Sequence, residues 1–198
     1  EATVKTPAEV EELFDAISYS KGASIIRMLE HYLGPDTFRA GLQQYLTSHQ
    51  YSNARTADLW QSMEEQSGKP VKSLMDTWTG QMGYPVLNVE SNLEGKGLRL
   101  RVTQARFLFS HVVESDEDQS FWKVPISLET SWCEPPLPRL LELPEETITI
   151  PSPPEATQSW FKVNTDQTGF YRVNLAPHDW DALIPAIISR ALSDTDRL

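Results

Sequence analysis

"GQMGYPV" occupies Gly80 to Val86, and the periodicity of the chain changes across it. On its N-terminal side Val71, Leu74, Met75 and Trp78 recur at i, i+3, i+4 and i+7, the spacing of one helix face. On its C-terminal side apolar residues alternate, in "VLNVE" (86–90), "LRLRVTQ" (98–104), "WKVPISLET" (122–130), "TITI" (147–150), "WFKVN" (160–164) and "FYRVNL" (170–175). Alternation places apolar side chains on one face of a strand. No helix-length crossover separates these runs, so they predict an antiparallel sandwich rather than a parallel sheet. The fold class is therefore α+β: an α-helical subdomain, an antiparallel β-sandwich and a short C-terminal helical segment. The expected parts are residues 1–84, 85–175 and 176–198.

Outward from the switch, the first half punctuates as helices. "TPAE" offers Thr6 as N-cap, Pro7 at the first helical position and Glu9 to complete a capping box. Val10, Leu13, Phe14 and Ile17 follow on one face. A second helical pattern begins near Lys21, with Ile25, Met28, Leu29 and Tyr32, so that Tyr19 falls at a break between two helices. Gly34 suits a left-handed cap and Pro35 opens the next helix, with Phe38, Leu42, Tyr45 and Leu46. A further helix begins near Thr56 with Leu59, Trp60 and Met63. In the second half "EGKG" (94–97) reads as a hairpin turn, and the prolines from Pro135 to Pro154 mark loops and edge strand. A last helix after "APHDW" carries Trp180, Leu183, Ile184 and Ile187, with Pro185 breaking or kinking it. Trp60, Trp78, Trp122, Trp160 and Trp180 all fall where the periodicity places core. In "ALSDTDRL" Ser193 or Asp194 would cap a helix with no room to form, which reads as a cut through a larger protein.

Composition narrows the function classes. Of 198 residues 39% are hydrophobic and 23% charged, an ordinary globular balance, and the net charge is −11. That field repels nucleic acid and anionic membrane surfaces and suits a positively charged group such as a peptide amino terminus. Cys133 is the single cysteine, so neither an intrachain disulfide nor a thiolate metal cluster is available. No apolar run approaches transmembrane length and no signal sequence opens the chain.

Chemistry-bearing motifs are sparse. His31, His49, His111 and His178 are never four residues apart, so no helix face offers the two-imidazole metal grip of H-E-x-x-H. Asp15 and Glu11–Glu12 read as carboxylates solvated near a helix start, and "ESDEDQS" (114–120) as an acidic loop. Neither a nucleophile elbow nor a glycine-rich phosphate loop occurs.

The order of four blocks carries more information than any one of them. "FDAISYSKGASIIRML" (14–29) resembles the block that follows the zinc-binding helices in the HExxH zinc aminopeptidases, the gluzincins, in particular the puromycin-sensitive type. "NARTADLWQSMEEQSGKPVKSLMDTWTGQMGYPVLNV" (53–89) is similar to the end of that family's helical catalytic subdomain, and "TGFYRVNL" (168–175) and "ALSDTDRL" (191–198) to the close of its sandwich and the opening of the helical domain beyond.

The resemblance implies that Tyr19 is catalytic, its phenol stabilising the tetrahedral oxyanion, and that Phe14 lines the pocket for the first substrate side chain, although helical spacing accounts for Phe14 equally well as core. It implies zinc in the parent enzyme and none held by ligands within this chain, because the family's metal motif and its G-x-M-E-N substrate grip are absent. A fragment of a peptide-cleaving hydrolase, inactive alone, is the expectation, with a non-catalytic helical plus β-sandwich interaction module as the alternative. Expected partners are a peptide substrate, the remaining domains of the same protein, and further copies through exposed apolar helix faces. The lone cysteine and the resemblance both lean towards the cytoplasm, with a membrane-anchored parent as the alternative.

Overall fold

A computed structural model describes residues 16–94, 97–108, 120–132, 139–151 and 160–197. The capping box at Thr6, the pocket residue Phe14, His111, Cys133 and most of the acidic loop lie outside the described residues. The chain divides into two compact units, Glu1–Met82 and Gly83–Leu198, so the division falls inside the "GQMGYPV" switch.

In the first unit the helices are α1 (Ala16–Leu33), α2 (Pro35–Ser48), α3 (Thr56–Ser67) and α4 (Val71–Thr79). Tyr19 does not sit at a helix break: α1 runs through it without interruption. Serine and glycine weaken a helix without stopping it, and Ser24 answers its own polarity by donating from Oγ to the Ser20 carbonyl at 2.8 Å. Gly34 has φ 86° and ψ 148°, a turn into Pro35 instead of the expected left-handed cap, whereas Gly68 does close α3 in that conformation, with φ 64° and ψ 11°.

The core of this unit is the meeting of Met28, Leu29, Met63, Val71, Leu74, Met75 and Trp78, each at most 2% exposed. α2 contributes less than its pattern promises, since its only buried residue is Gly41 and Leu46 is 64% exposed. A Cβ at Gly41 would stand 2.5 Å from the Met63 sulfur and 3.2 Å from its Cα, so the missing side chain is what lets α2 approach α3.

The second unit holds β1 (Pro85–Glu94), β2 (Gly97–Arg106), β3 (Val124–Ile126), β4 (Leu128–Thr130), β5 (Arg139–Leu141), β6 (Glu145–Pro151), β7 (Phe161–Val163), β8 (Arg172–Leu175) and helix α5 (Pro177–Ile188). β6, β2, β1 and β8 form one sheet in that order, while β3 pairs with β5 and β4 with β7. All these pairs are antiparallel as expected except β1–β8, which is parallel. That exception has a topological cause: β8 enters the sheet at its far edge after a long connection, not from a hairpin. The register Glu94↔Gly97 places the expected turn at "EGKG", and proline-ended β6 takes the sheet edge that the proline-rich stretch predicted.

Alternation explains which face is buried. Leu98, Leu100 and Val102 are buried on β2 while Arg99 and Arg101 are exposed, and Ile148 and Ile150 repeat this on β6. On the wet face Arg101 reaches Glu90 on β1 at 3.1 Å and Glu145 on β6 at 2.7 Å, an ion-pair ladder across three strands.

Two expectations fail near the C-terminus. Trp180 is 48% exposed, because α5 packs Leu183 and Ala186 inward and leaves Trp180, Ile184, Ile187 and Ile188 on its other side. Pro185 does not break α5, which continues to Ile188 and closes with Arg190 at φ 59°. Ser193 does act as a cap: its Oγ accepts from the Asp196 amide at 3.3 Å and donates to the Asp196 carboxylate at 3.2 Å, around a single turn.

Candidate functional site

Tyr19 lies about one turn into α1 and is 62% exposed. The buried stripe of α1, Ile25, Met28, Leu29, Tyr32 and Leu33, occupies the opposite side, so the phenol projects away from the core. Next along its face come Gly22 and Ala23, then half-buried Ile26, and only afterwards Arg27 and Glu30. A Cβ built on Gly22 would meet nothing within 4 Å. The phenol is thus exposed on the side of α1 away from the core, with open space at Gly22 one turn further on.

Lys21 goes the other way. Its side chain runs back along the packed side of α1, and Nζ donates to the Gln81 carbonyl at 3.4 Å. Burial pushes the Lys21 ammonium below its ordinary value. Gln81 lies just past the end of α4 and donates from Nε2 to the Thr77 carbonyl at 2.8 Å. The "SYSKG" and "TGQMG" segments, far apart in sequence, thus meet through one charged hydrogen bond. In the sequence Lys21 carries no sign of this role beyond its position two residues after Tyr19.

The other candidates do not assemble. His49 holds Nε2 3.6 Å from Asp58 and Nδ1 3.0 Å from the Tyr45 carbonyl, a helix-end arrangement. His178 Nε2 lies 3.3 Å from both Ser91 Oγ and Asp179 Oδ1, and Ser91 donates to Asp179 at 2.6 Å. Among the described residues no three His, Cys, Asp or Glu side chains converge to hold a metal, so these residues do not fit a zinc site. Among them, too, no helix is long and apolar enough to cross a membrane. A cleft of about 510 Å³ in the second unit, lined in part by Tyr84, Phe170, Arg172 and Trp180, contains the Lys162–Asp196 pair, which periodicity gave no means of foreseeing.

The helical unit matches a known domain. Residues 1–78 fit the peptidase family M1 domain. The chain belongs to the M1 peptidase family. The likeness to named aminopeptidases extends across the β unit as well: identity is 46% to aminopeptidase A of Gloydius brevicauda over 91% of this chain, 40% to human glutamyl aminopeptidase over 98%, and 38% to aminopeptidase 2 of Candida albicans over 100%. Those alignments cover 18%, 20% and 21% of the relatives, so the chain spans about a fifth of the length of the relatives it matches. Tyr19 and Lys21 both fall within the matched M1 domain.

Proposed function

We propose that the chain is part of a zinc-dependent M1 aminopeptidase that removes N-terminal amino acids from peptides, and that Tyr19 stabilises the oxyanion of the tetrahedral transition state. The observation that supports this reading is the exposure of Tyr19 on α1, on the side away from the helix's buried stripe. When the scissile carbonyl is attacked, its oxygen becomes negative. A phenol fixed on a helix donates to that oxygen more strongly in the transition state than to the neutral carbonyl before it, and only this difference accelerates the reaction.

The metal that the family resemblance implies would polarise the carbonyl and activate water, but its ligands are not among the described residues, and Phe14 as a wall of the first side-chain pocket is carried over on the resemblance alone. The same reading makes residues 176–198 the opening of a further helical domain, with the remaining domains of the parent as partners. It makes this chain by itself inactive and, on its lone cysteine, cytoplasmic.

In the full-length parent, Tyr19→Phe should lower turnover by about 100–1,000-fold with metal content unchanged, since that is the usual loss when one oxyanion donor is removed. Near-normal turnover would take Tyr19 out of the mechanism. The isolated 198-residue chain should neither bind zinc stoichiometrically nor cleave an aminoacyl chromogenic substrate; doing both would overturn the proposed inactivity.

A further inference from the structure

The first turns of α1 pose a mechanical problem. No side chain from Tyr19 through Ser24 is buried, and the next buried side chain towards the C-terminus is Ile25. A donor that must meet a developing charge within hydrogen-bond distance thus stands at the head of six residues, Tyr19 to Ser24, that bury none of their own side chains. Misplacing a reacting group by about 1 Å costs on the order of 100-fold in rate, so whatever fixes this segment bears on catalysis.

We propose that Lys21 is a positioning residue for the Tyr19 phenol: by donating to the Gln81 carbonyl at the end of α4, its ammonium fixes the rotation and height of the first turns of α1. The inference rests on the reading of Tyr19 as the oxyanion donor. Three features support it. Lys21 and Tyr19 are two residues apart and so project from nearly opposite sides of the helix, which means that tethering one sets the angle of the other. The acceptor is favourable, because the Gln81 carbonyl follows directly on the end of α4, beside the negative end of that helix's dipole. The anchor point is itself held, since Gln81 is tied by its side chain to Thr77 and Trp78 beside it is fully buried. A partly desolvated ammonium is unfavourable on its own, so its placement here needs an acceptor of this kind.

The test compares Lys21→Met and Lys21→Arg in the full-length parent, alone and with Tyr19→Phe. Lys21→Met should lower kcat by roughly 10- to 100-fold with KM within about twofold, and Lys21→Arg, which keeps charge and donor, should recover most of kcat. In the Tyr19→Phe background Lys21→Met should add almost no further loss, because the donor that it positions is already gone. A normal kcat for Lys21→Met, or the same fold-loss in both backgrounds, overturns the proposal; Lys21→Gln replaces Lys21→Met if the latter fails to fold.

If Tyr19→Phe itself leaves turnover normal, the oxyanion reading fails, and the tether is then read without activity. With 3-fluorotyrosine incorporated at position 19 of the 198-residue chain, Lys21→Met should shift and broaden the fluorine resonance while Lys21→Arg leaves it in place. An unchanged resonance in Lys21→Met overturns the tether.

Discussion

Lys162 Nζ and Asp196 Oδ1 lie 3.1 Å apart with their side chains 7% and 1% exposed, so the last turn of the chain is fastened to β7 by a buried ion pair. The ammonium also donates to the Val163 and Asn164 carbonyls at 3.0 and 3.2 Å, and Asp196 Oδ2 accepts from the Asp166 amide at 2.8 Å. Removing one member leaves the other charge buried without its counterpart. Lys162→Met or Asp196→Leu alone should therefore cost about 3–5 kcal/mol, and the double substitution less than either. Urea unfolding followed by tryptophan fluorescence checks this; equal losses in singles and double would mean that the pair is not coupled.

Gly169 is held against the ring of Tyr171. A Cβ there would stand 2.0 Å from Tyr171 Cε1, and the Gly169 amide already donates to Asn164 Oδ1 at 2.7 Å. Tyr171 is only 6% exposed, so relief requires its ring or the loop to shift within the folded unit. Gly169→Ala should destabilise the second unit by about 1–3 kcal/mol or more through overpacking, whereas Gly22→Ala, which adds a Cβ into open space on a helix, should leave stability unchanged or raise it slightly. Parallel thermal melts of the two variants make the comparison.

Tyr171 predicts an alkaline limit. Its buried hydroxyl lies against Ser127 without a hydrogen bond of full geometry, Ser127 already serving the Thr165 and Asn164 amides, and burial raises the phenol above its ordinary value of 10.0. In that window the folded state holds a proton that the unfolded state has lost, so stability falls as pH climbs above the ordinary tyrosine value. Tyr171→Phe should change stability at pH 7 by less than about 1 kcal/mol and flatten the alkaline loss. Equilibrium unfolding between pH 8 and about 11 measures it; an identical alkaline slope in the variant would assign the loss elsewhere.

The outer side of α5 presents Trp180, Ile184, Ile187 and Ile188, which are 48%, 49%, 39% and 77% exposed. Contiguous apolar surface of this kind favours association. Sedimentation should find the isolated chain self-associating at micromolar concentration, and Ile184→Glu with Ile188→Glu should shift it towards monomer without lowering the unfolding midpoint. A wild-type chain that sediments as a monomer would remove this face from association.

Much of the architecture was legible locally. The helical stripe of α4, the alternation of β2 and β6 and the turn at "EGKG" all follow from periodicity, because a buried face must repeat with the period of its own backbone. Where the reading failed, the neighbour decided. α1 continues through Tyr19 because serine and glycine weaken a helix without ending it, and the parallel β1–β8 pair depends on which sheet edge lay open after a long connection. Trp180 stayed outside because one helix cannot turn every apolar residue toward the same core.

By itself, then, the sequence determined the order of most helices and strands, the switch at Gly80 to Val86, and the match of residues 1–78 to the M1 domain. Only the tertiary structure decided that Tyr19 is exposed on a continuous helix, that Lys21 reaches Gln81 across 60 residues, and that Lys162 finds Asp196 in the interior. The physical reason is common to all three. Period and propensity act over one or two turns of chain, whereas a buried charge takes whichever partner the packing of distant segments brings within reach.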